Sequence, residues 1–457
     1  MESQKEITSP DLSSSAAVEK FLDKKEVAFK WLPKLVAWES GLLWSLSTSS
    51  IIISIANYML SFVTLVLWPF ESFGACRSLH CLRGNSRPCL WHHVCGQAYG
   101  AKHLGAMGII CQRAIILHLG AAVLHTSLYW WSGPMLIAIG QSHIIAEKGQ
   151  IFSRGLILQL YAFAINCPQQ RFLQAQNIVK PLAFMSIGIL LLHTLLTWLV
   201  VDVVKFGLLG AALTISFSWW LLVIASGVYI VLSPRCKETW TGFSSKAFRG
   251  IWPYFKFTVA SAFMLCLEIW DSQGLVLLSG LLPNPTFSLD SISICMNYLN
   301  WDITFMLGLS AAASVRVGNE LGAGHPKVAR FSVFVVNVTS VLISVIFSVI
   351  VLFLRVQLSK LFASDAEVWQ LEVDGKVLWL MLTCFVTISL VFQLGVLGHK
   401  LRMGVAVRYL VGDDYWSFLK TVALVVLAAR TNWNAQVEKA AERLKTSASE
   451  EKFTLPL

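Results

Sequence analysis

Charged residues are scarce in this 457-residue chain, because Asp, Glu, Lys and Arg together make up only 14% of it, against about 25% in an ordinary soluble domain. That shortage excludes a soluble enzyme. Hydrophobic residues make up 56%, which also excludes a disordered chain with too little apolar surface to bury. The mean hydropathy of +0.64 over the whole length predicts many membrane spans, since each needs roughly 20 apolar residues.

Three further features are missing. The first 37 residues carry charges throughout and no apolar core of a cleavable signal peptide, so the first span is expected to act as the insertion signal. No C-x-x-C pair occurs, and cysteines such as Cys236 and Cys384 stand singly in or beside apolar stretches, as small buried hydrophobes do. No span holds His, Asp and Glu at metal-ligand spacing, so we expect neither a metal cofactor nor a membrane-embedded enzyme.

Apolar runs predict nine clear helical spans and two weak ones, and the loops between them alternate in charge. Loops rich in Lys and Arg alternate along the chain with loops that are acidic or neutral. By the positive-inside rule, this pattern places the basic loops and both termini in the cytoplasm. The excess of 36 basic over 26 acidic residues is therefore assigned to these loops and not to nucleic-acid binding. The predicted spans are 39–70, 104–131, 151–170, 181–204, 206–232, 256–282, 289–315, 331–354 and 376–398, with 403–412 and 418–429 as the weak ones.

The stretch from Pro69 to Val94 interrupts this order, because it is rich in Cys, Arg, His, Gly and Pro where the alternation requires a span. Three interpretations are open. The Cys and His residues would ligate zinc, the stretch would form an ordered extracellular loop, or it is read out of frame or misspliced relative to a functional ancestor. We favour the last of these.

The chain contains an internal repeat. Gly96-Gln-Ala-Tyr-Gly100-Ala101-Lys-His103 aligns with Gly318-Asn-Glu-Leu-Gly322-Ala323-Gly-His325, so that G-x-x-x-G-A-x-H occurs twice, each time before an apolar run. Glycines four residues apart allow close packing of backbones. Because both copies have the same orientation, we expect two parallel helical halves related by an axis along the membrane normal, with a cleft between them.

Several stretches of the sequence resemble the multidrug and toxic compound extrusion (MATE) family, in particular its plant DETOXIFICATION branch. The resemblance covers most of the chain in the expected order. The matching stretches are Cys95–Ala101, Arg171–Gln176, Cys236–Phe243, Cys266–Glu268, Leu277–Pro285, Arg316–Gly324 and Arg430–Asn434. The resemblance implies a nominally twelve-helix, two-lobed, proton-driven antiporter, of which ten or eleven helices are recognisable here.

In that family a proton-linked carboxylate lies in the seventh helix, within a motif of the form C-L-E-W-W-x-x-E. The corresponding stretch is Cys266-Leu-Glu268-Ile-Trp270-Asp271-Ser-Gln273, so Glu268 matches the first glutamate and Gln273 replaces the second. A carboxylate within an apolar span is costly and is a functional hypothesis by default. Desolvation favours its protonated form, so it would hold a proton or, once deprotonated, a cationic solute.

Other residues are candidates for supporting roles. Asp271 lies one turn from Glu268 and would share its proton, Trp270 would stack on a flat or cationic solute, and Asn297 matches a polar position of the family. Asp302 has no counterpart there. Polar candidates in the first half are Asn57, Gln174 and Gln176; Arg113 is expected to extend to the cytoplasmic interface, and His118 to be a satisfied core residue.

Segments 71–93 and 393–420 depart from the family pattern. We therefore expect either an antiporter that exports organic cations, xenobiotics or secondary metabolites, or a transport-inactive variant or misspliced product of one. We expect a monomer in the vacuolar or plasma membrane. The predicted parts are a cytoplasmic tail (1–37), a first lobe (38–232), an inter-lobe loop (233–255), a second lobe (256–429) and a second tail (430–457).

Overall fold

The computed structural model describes residues 12–23, 29–66, 91–138, 143–249 and 285–362, with a few positions between 251 and 259 and residue 438. Within these ranges the chain forms helices joined by short turns and no β-strand, which confirms the all-α class. The helices are α1 (Ser15–Leu22), α2 (Leu32–Val66), α3 (Trp91–Gly100), α4 (Leu104–Trp130), α5 (Ser132–Ala138), α6 (His143–Gly155), α7 (Ile157–Ala175), α8 (Lys180–Trp198), α9 (Gly207–Leu232), α10 (Pro285–Gly322) and α11 (Pro326–Phe362).

Among the described residues, five stretches are long and apolar enough to cross a membrane, and each overlaps a predicted span. They are Leu32–Thr64, Leu104–Trp130, Lys180–Val203, Gly207–Leu232 and Pro326–Val351. Helix α10 covers the predicted span 289–315, and α6 with α7 covers 151–170. The predicted spans at 256–282, 376–398, 403–412 and 418–429 lie almost wholly outside the described residues.

One compact unit draws on Ser49–Cys95 and His103–Leu278. Its core is the face of α9 that carries small residues, which lets neighbouring helices approach closely. A Cβ added at Gly155 would lie 2.6 Å from the Cβ of Ala212, and the Ser216 hydroxyl donates to the Gly155 carbonyl at 2.8 Å. The buried side chains around this face are Leu60, Phe152, Leu156, Ala162, Ile189, Ala212, Ile215, Trp219, Leu222 and Val223.

The other unit draws on Met1–Thr48, Gly96–Lys102 and Ser279–Ser449. Helices α10 and α11 form its antiparallel hairpin, and the first part of α2 packs on them through Leu43 and the buried residues Met306, Leu309, Ala312, Ala313 and Val336. Helix α2 thus contributes residues to both units. The predicted lobes 38–232 and 256–429 stay a prediction.

The described part of the predicted inter-lobe loop packs on α4. Gln112 donates to the Gly242 carbonyl at 2.8 Å and accepts from the Ser244 amide at 2.9 Å. Arg113 is only 5% exposed and contacts the Tyr254 hydroxyl and the Lys246 carbonyl, both at 3.4 Å. Arg113 thus contacts the loop that is predicted to lie in the cytoplasm, and its anchoring at the membrane interface stays a prediction.

Candidate functional site

Four of the five predicted site residues lie outside the described residues. These are Glu268, Trp270, Asp271 and Gln273. Asn297 lies on α10, within the predicted span 289–315, and only its backbone is described. The roles assigned to these residues stay predictions.

The two copies of the repeated motif fold into the same helix–turn–helix. In each copy the second glycine ends a helix, at Gly100 and at Gly322. The following alanine amide bonds the carbonyl four residues back, at 2.9 Å in both copies. The next residue has a left-handed backbone, with φ of 61° at Lys102 and 83° at Gly324. The repeat found in the sequence is thus also a structural repeat.

The two turns pack against each other in a reciprocal way, and both belong to the same unit. A Cβ added at Gly100 would overlap the main-chain oxygen of Asn319, and one added at Gly322 would overlap the main-chain oxygen of Gln97. Gln97 and Asn319 occupy the same position in the two motifs. The contact therefore has approximate two-fold symmetry.

We expect Gly100→Val to destabilise the protein by about 1–3 kcal/mol, because the new side chain would have to displace backbone atoms. The midpoint of thermal unfolding in detergent measures this loss. Gly120→Ala is the matched control, since an added Cβ there meets nothing within 4 Å and alanine favours the helix by about 0.5–1 kcal/mol. Equal midpoints for wild type and Gly100→Val would show that the contact is loose.

A buried ion cluster lies one to two turns before Gly322. The guanidinium of Arg316 donates to both carboxylate oxygens of Glu39, at 3.0 and 3.1 Å, and also contacts Glu320. The Glu39 side chain is 0% exposed, and Ser332 donates to it at 2.5 Å. A bidentate arginine–carboxylate pair is strong and directional, so the cluster fixes α2 to α10 and α11.

The N-terminal helix α1 binds to the turn between α10 and α11. Glu19 accepts hydrogen bonds from the Lys327 and Val328 amides at 3.1 and 2.8 Å, and so caps the start of α11. Ser15 donates to Glu320 at 2.8 Å. Val18, Phe21, Leu35 and Val328 form the buried contact beneath.

We expect Val18→Asp to release α1, because Val18 is 0% exposed and burying a valine side chain contributes about 1.5–3 kcal/mol. Limited trypsin digestion after the exposed Lys20 should then proceed about 10- to 100-fold faster. Ala16→Asp places the same charge at an exposed position of α1 and should leave the rate unchanged. Digestion of both variants at the wild-type rate would mean that α1 does not bind stably.

Helix α7 carries buried amide side chains whose hydrogen-bonding atoms are not all used. Gln159, Asn166 and Gln170 are 3%, 2% and 7% exposed, and each has an amide atom without a hydrogen-bond partner among the residues that the structure describes. The same holds for the buried side-chain oxygen of Asn57, a candidate from the sequence.

Residue His193 was not singled out in the sequence, although it interrupts the apolar run of α8. It is 0% exposed. Its Nδ1 lies 2.9 Å from the Ser218 hydroxyl, and its Nε2 lies 3.1 Å from that of Thr64 and 3.4 Å from that of Thr197. The sequence does contain a signal that could have identified it, namely a histidine within an apolar span together with serine and threonine residues in two other spans.

The remaining candidates have structural surroundings. Gln174 accepts from Arg171 at 2.6 Å, and Gln176 accepts from Thr239 at 2.9 Å. His118 bonds the carbonyl one turn back at 2.7 Å, as expected of a satisfied residue. Asp302 is 1% exposed and accepts from Ser344 at 3.4 Å.

Cysteines in the described ranges are buried, as small hydrophobic side chains are. They are Cys95, Cys111, Cys167 and Cys236. Burial raises the pKa of the Cys236 thiol, which lies in a turn between helices, and its hydrogen bond with Ser233 opposes that shift. No group of three or more His, Cys, Asp and Glu at metal-binding distance occurs among the residues that the structure describes.

Comparison with known proteins gives one consistent family. The MatE family model matches residues 92–199 and 260–396. The chain is 54% identical to Protein DETOXIFICATION 41 of Arabidopsis thaliana, over 96% of this chain and 94% of that protein. It is 39% identical to Protein DETOXIFICATION 37 of the same plant, over 77% of this chain and 75% of that one.

Solved structures of the same fold agree. The crystal structure of the eukaryotic MATE transporter AtDTX14 matches with a TM-score of 0.81 and 29% identity, over 90% of this chain and 99% of that one. An outward-facing multidrug resistance MATE transporter of the MOP superfamily matches with a TM-score of 0.66 at 14% identity, over 88% and 96%. This second likeness concerns the fold alone.

Proposed function

Because the chain belongs to the MatE family of efflux transporters, we propose that it is a proton-coupled antiporter that exports organic, cationic or amphipathic solutes from the cytoplasm. The family membership rests on the matched residues 92–199 and 260–396 and on the 54% identity to a DETOXIFICATION protein. Relatives of this kind are transporters and not enzymes. Proton coupling and the class of solute are our proposals.

The observation that best supports transport by alternating access is the reciprocal contact of the two repeated motifs. Gly100 contacts Asn319, and Gly322 contacts Gln97, at equivalent positions of the two copies. Two repeats that meet symmetrically at one end can separate there while they close at the other. We propose that this contact lies on the cytoplasmic side and is the closed gate, held by α1 and by the Arg316 cluster.

The exchange itself is assigned to Glu268. A carboxylate in the bilayer is stable when it holds a proton or pairs with a cation. Binding of the proton therefore displaces the cation, and binding of the cation displaces the proton. In this way the Glu268 carboxylate couples proton movement to solute movement. In this proposal Asp271 shares the proton, Trp270 and Asn297 contact the solute, and Gln273 takes the place of the family's second glutamate.

The proposal includes a location and a domain organisation. The two lobes are residues 38–232 and 256–429. The tails and the loop 233–255 lie on the cytoplasmic side. The protein is placed in the vacuolar or plasma membrane. The acidic compartment on the other side would supply the protons. The partners are the solute, protons and lipid, and the transporter acts as a monomer.

Uptake into proteoliposomes tests the proposal. The purified chain is reconstituted, an inside-acidic pH gradient is imposed, and accumulation of a fluorescent organic cation is followed. We expect uptake that stops when a protonophore removes the gradient. No uptake above protein-free vesicles would favour the alternative, a transport-inactive variant or misspliced product.

A further inference from the structure

We propose that His193 is a second proton-binding residue, placed in the first half of the chain and separate from Glu268. It lies near the middle of the span Lys180–Val203. Hydroxyl groups from α2 and α9 and from its own helix surround both ring nitrogens. The proposal rests on the proposed proton coupling and adds a residue to it.

The hydroxyl partners can satisfy either neutral form of the ring. The Ser218 hydroxyl lies 2.9 Å from Nδ1 and 3.0 Å from the Thr214 carbonyl. It can therefore donate to that carbonyl and accept from Nδ1–H, which leaves Nε2 as the acceptor, or it can donate to the ring.

The ring can bind a second hydrogen, at Nε2, and both N–H groups of the resulting imidazolium then have hydrogen-bond acceptors. The Thr64 hydroxyl is 3.1 Å from Nε2 and also 3.2 Å from the Leu60 carbonyl. When Nε2 gains a hydrogen, Thr64 can turn its own hydrogen to Leu60 and accept from the ring. Only the long 3.4 Å bond from Thr197 is given up.

Charged groups are distant along every helix that supplies a partner. The nearest in its own span are Lys180 at the start of α8 and Asp202 in the turn after it, α9 carries none, and α2 carries none after Glu39. Tyr58 on α2 and Tyr229 on α9 are the other titratable residues of the partner segments. The ring is therefore neutral in the arrangement seen here and would take its proton from the acidic compartment.

A wide turn follows the site in the chain. Residues Leu199–Val203 form a π-helical turn that begins two residues after Thr197. Such turns are frequent at functional sites. Protonation of His193 changes the hydrogen bond between α8 and α2, and we infer that it biases how these helices pack during the cycle.

Solid-state NMR of the reconstituted full chain with ¹⁵N-labelled histidine tests proton binding directly. The difference between wild type and His193→Gln isolates the ring signals of this residue. We expect conversion from neutral imidazole to imidazolium between about pH 7 and pH 4. A ring that stays neutral throughout would overturn the inference, even if proton-driven uptake is observed.

Substitutions at Thr64 give a second test, because a purely structural role of His193 does not predict that they change its titration. Thr64→Val removes the acceptor for the second proton and should lower the titration midpoint by about one to two pH units, whereas Thr64→Ser should keep it. In transport, His193→Gln should shift the pH profile of uptake and His125→Gln, at an exposed position of α4, should not. An unmoved midpoint in Thr64→Val, or an unmoved profile in His193→Gln, would contradict the proposal.

Failure of the two proposals can be told apart. If the wild type shows no proton-driven uptake, proton-coupled antiport fails, while the NMR titration still decides whether His193 binds a proton. If uptake is proton-driven and the His193 signal does not titrate, only the present inference fails.

Discussion

Glu268→Gln is expected to abolish proton-driven uptake, with the initial rate falling by about 100-fold to that of protein-free vesicles, because the carboxylate that holds a proton or a cation is gone. The amide has the shape of a protonated carboxyl and cannot release a proton or attract a cation. The variant should therefore fold and reach the membrane in normal amounts. Uptake of the fluorescent cation into proteoliposomes measures the loss.

The matched control is Glu147→Gln, the same substitution at an exposed position of α6. It should transport at the wild-type rate. Full activity of Glu268→Gln would remove this residue from the mechanism and leave only the family membership. Loss of activity in both variants would point to a general effect of removing a carboxylate.

Arg316→Leu is expected to be the most destabilising single change, by about 3–5 kcal/mol, because it leaves the fully buried Glu39 without its bidentate partner. Glu320 loses a partner at the same time. The thermal midpoint in detergent and the amount of folded protein should both fall. Arg330→Leu removes the same charge from an exposed position of α11 and should change little.

A second variant separates the buried charge from lost packing. Glu39→Gln together with Arg316→Leu should recover part of the stability, since the uncompensated carboxylate is gone. If Arg316→Leu alone unfolds at the wild-type midpoint, the ion pair between Arg316 and Glu39 does not contribute to stability.

Much of the fold could be predicted, because apolar runs of membrane length are a strong signal. The described spans fall where the sequence predicts them, and the repeated G-x-x-x-G-A-x-H identifies two segments that also share a backbone conformation. Two features could not be found in this way. The break at Leu156 follows Gly155 inside a predicted continuous span, and a single glycine is not enough to end a helix in a sequence-based prediction. The contact of Gly100 with Asn319 depends on tertiary packing.

The candidate site was harder to predict. A single charge in an apolar run, as at Glu268, is visible in a sequence, and its placement stays a prediction. The partners of His193 are serine and threonine residues on three helices, and such residues are common in spans. Which of them meet is decided by helix rotation, which the nearly uniform apolar composition of α8 and α9 does not encode. The role of α1 was missed because its buried face includes only Val18 and Phe21.

The most direct measurement of proton–solute exchange is proton movement driven by the solute. Vesicles containing the transporter and a trapped pH indicator start without a pH gradient, and an organic cation is then added outside. Inward movement of the cation should drive protons out, so the lumen becomes alkaline with the wild type and not with Glu268→Gln. Cation entry without any change in lumenal pH would contradict antiport.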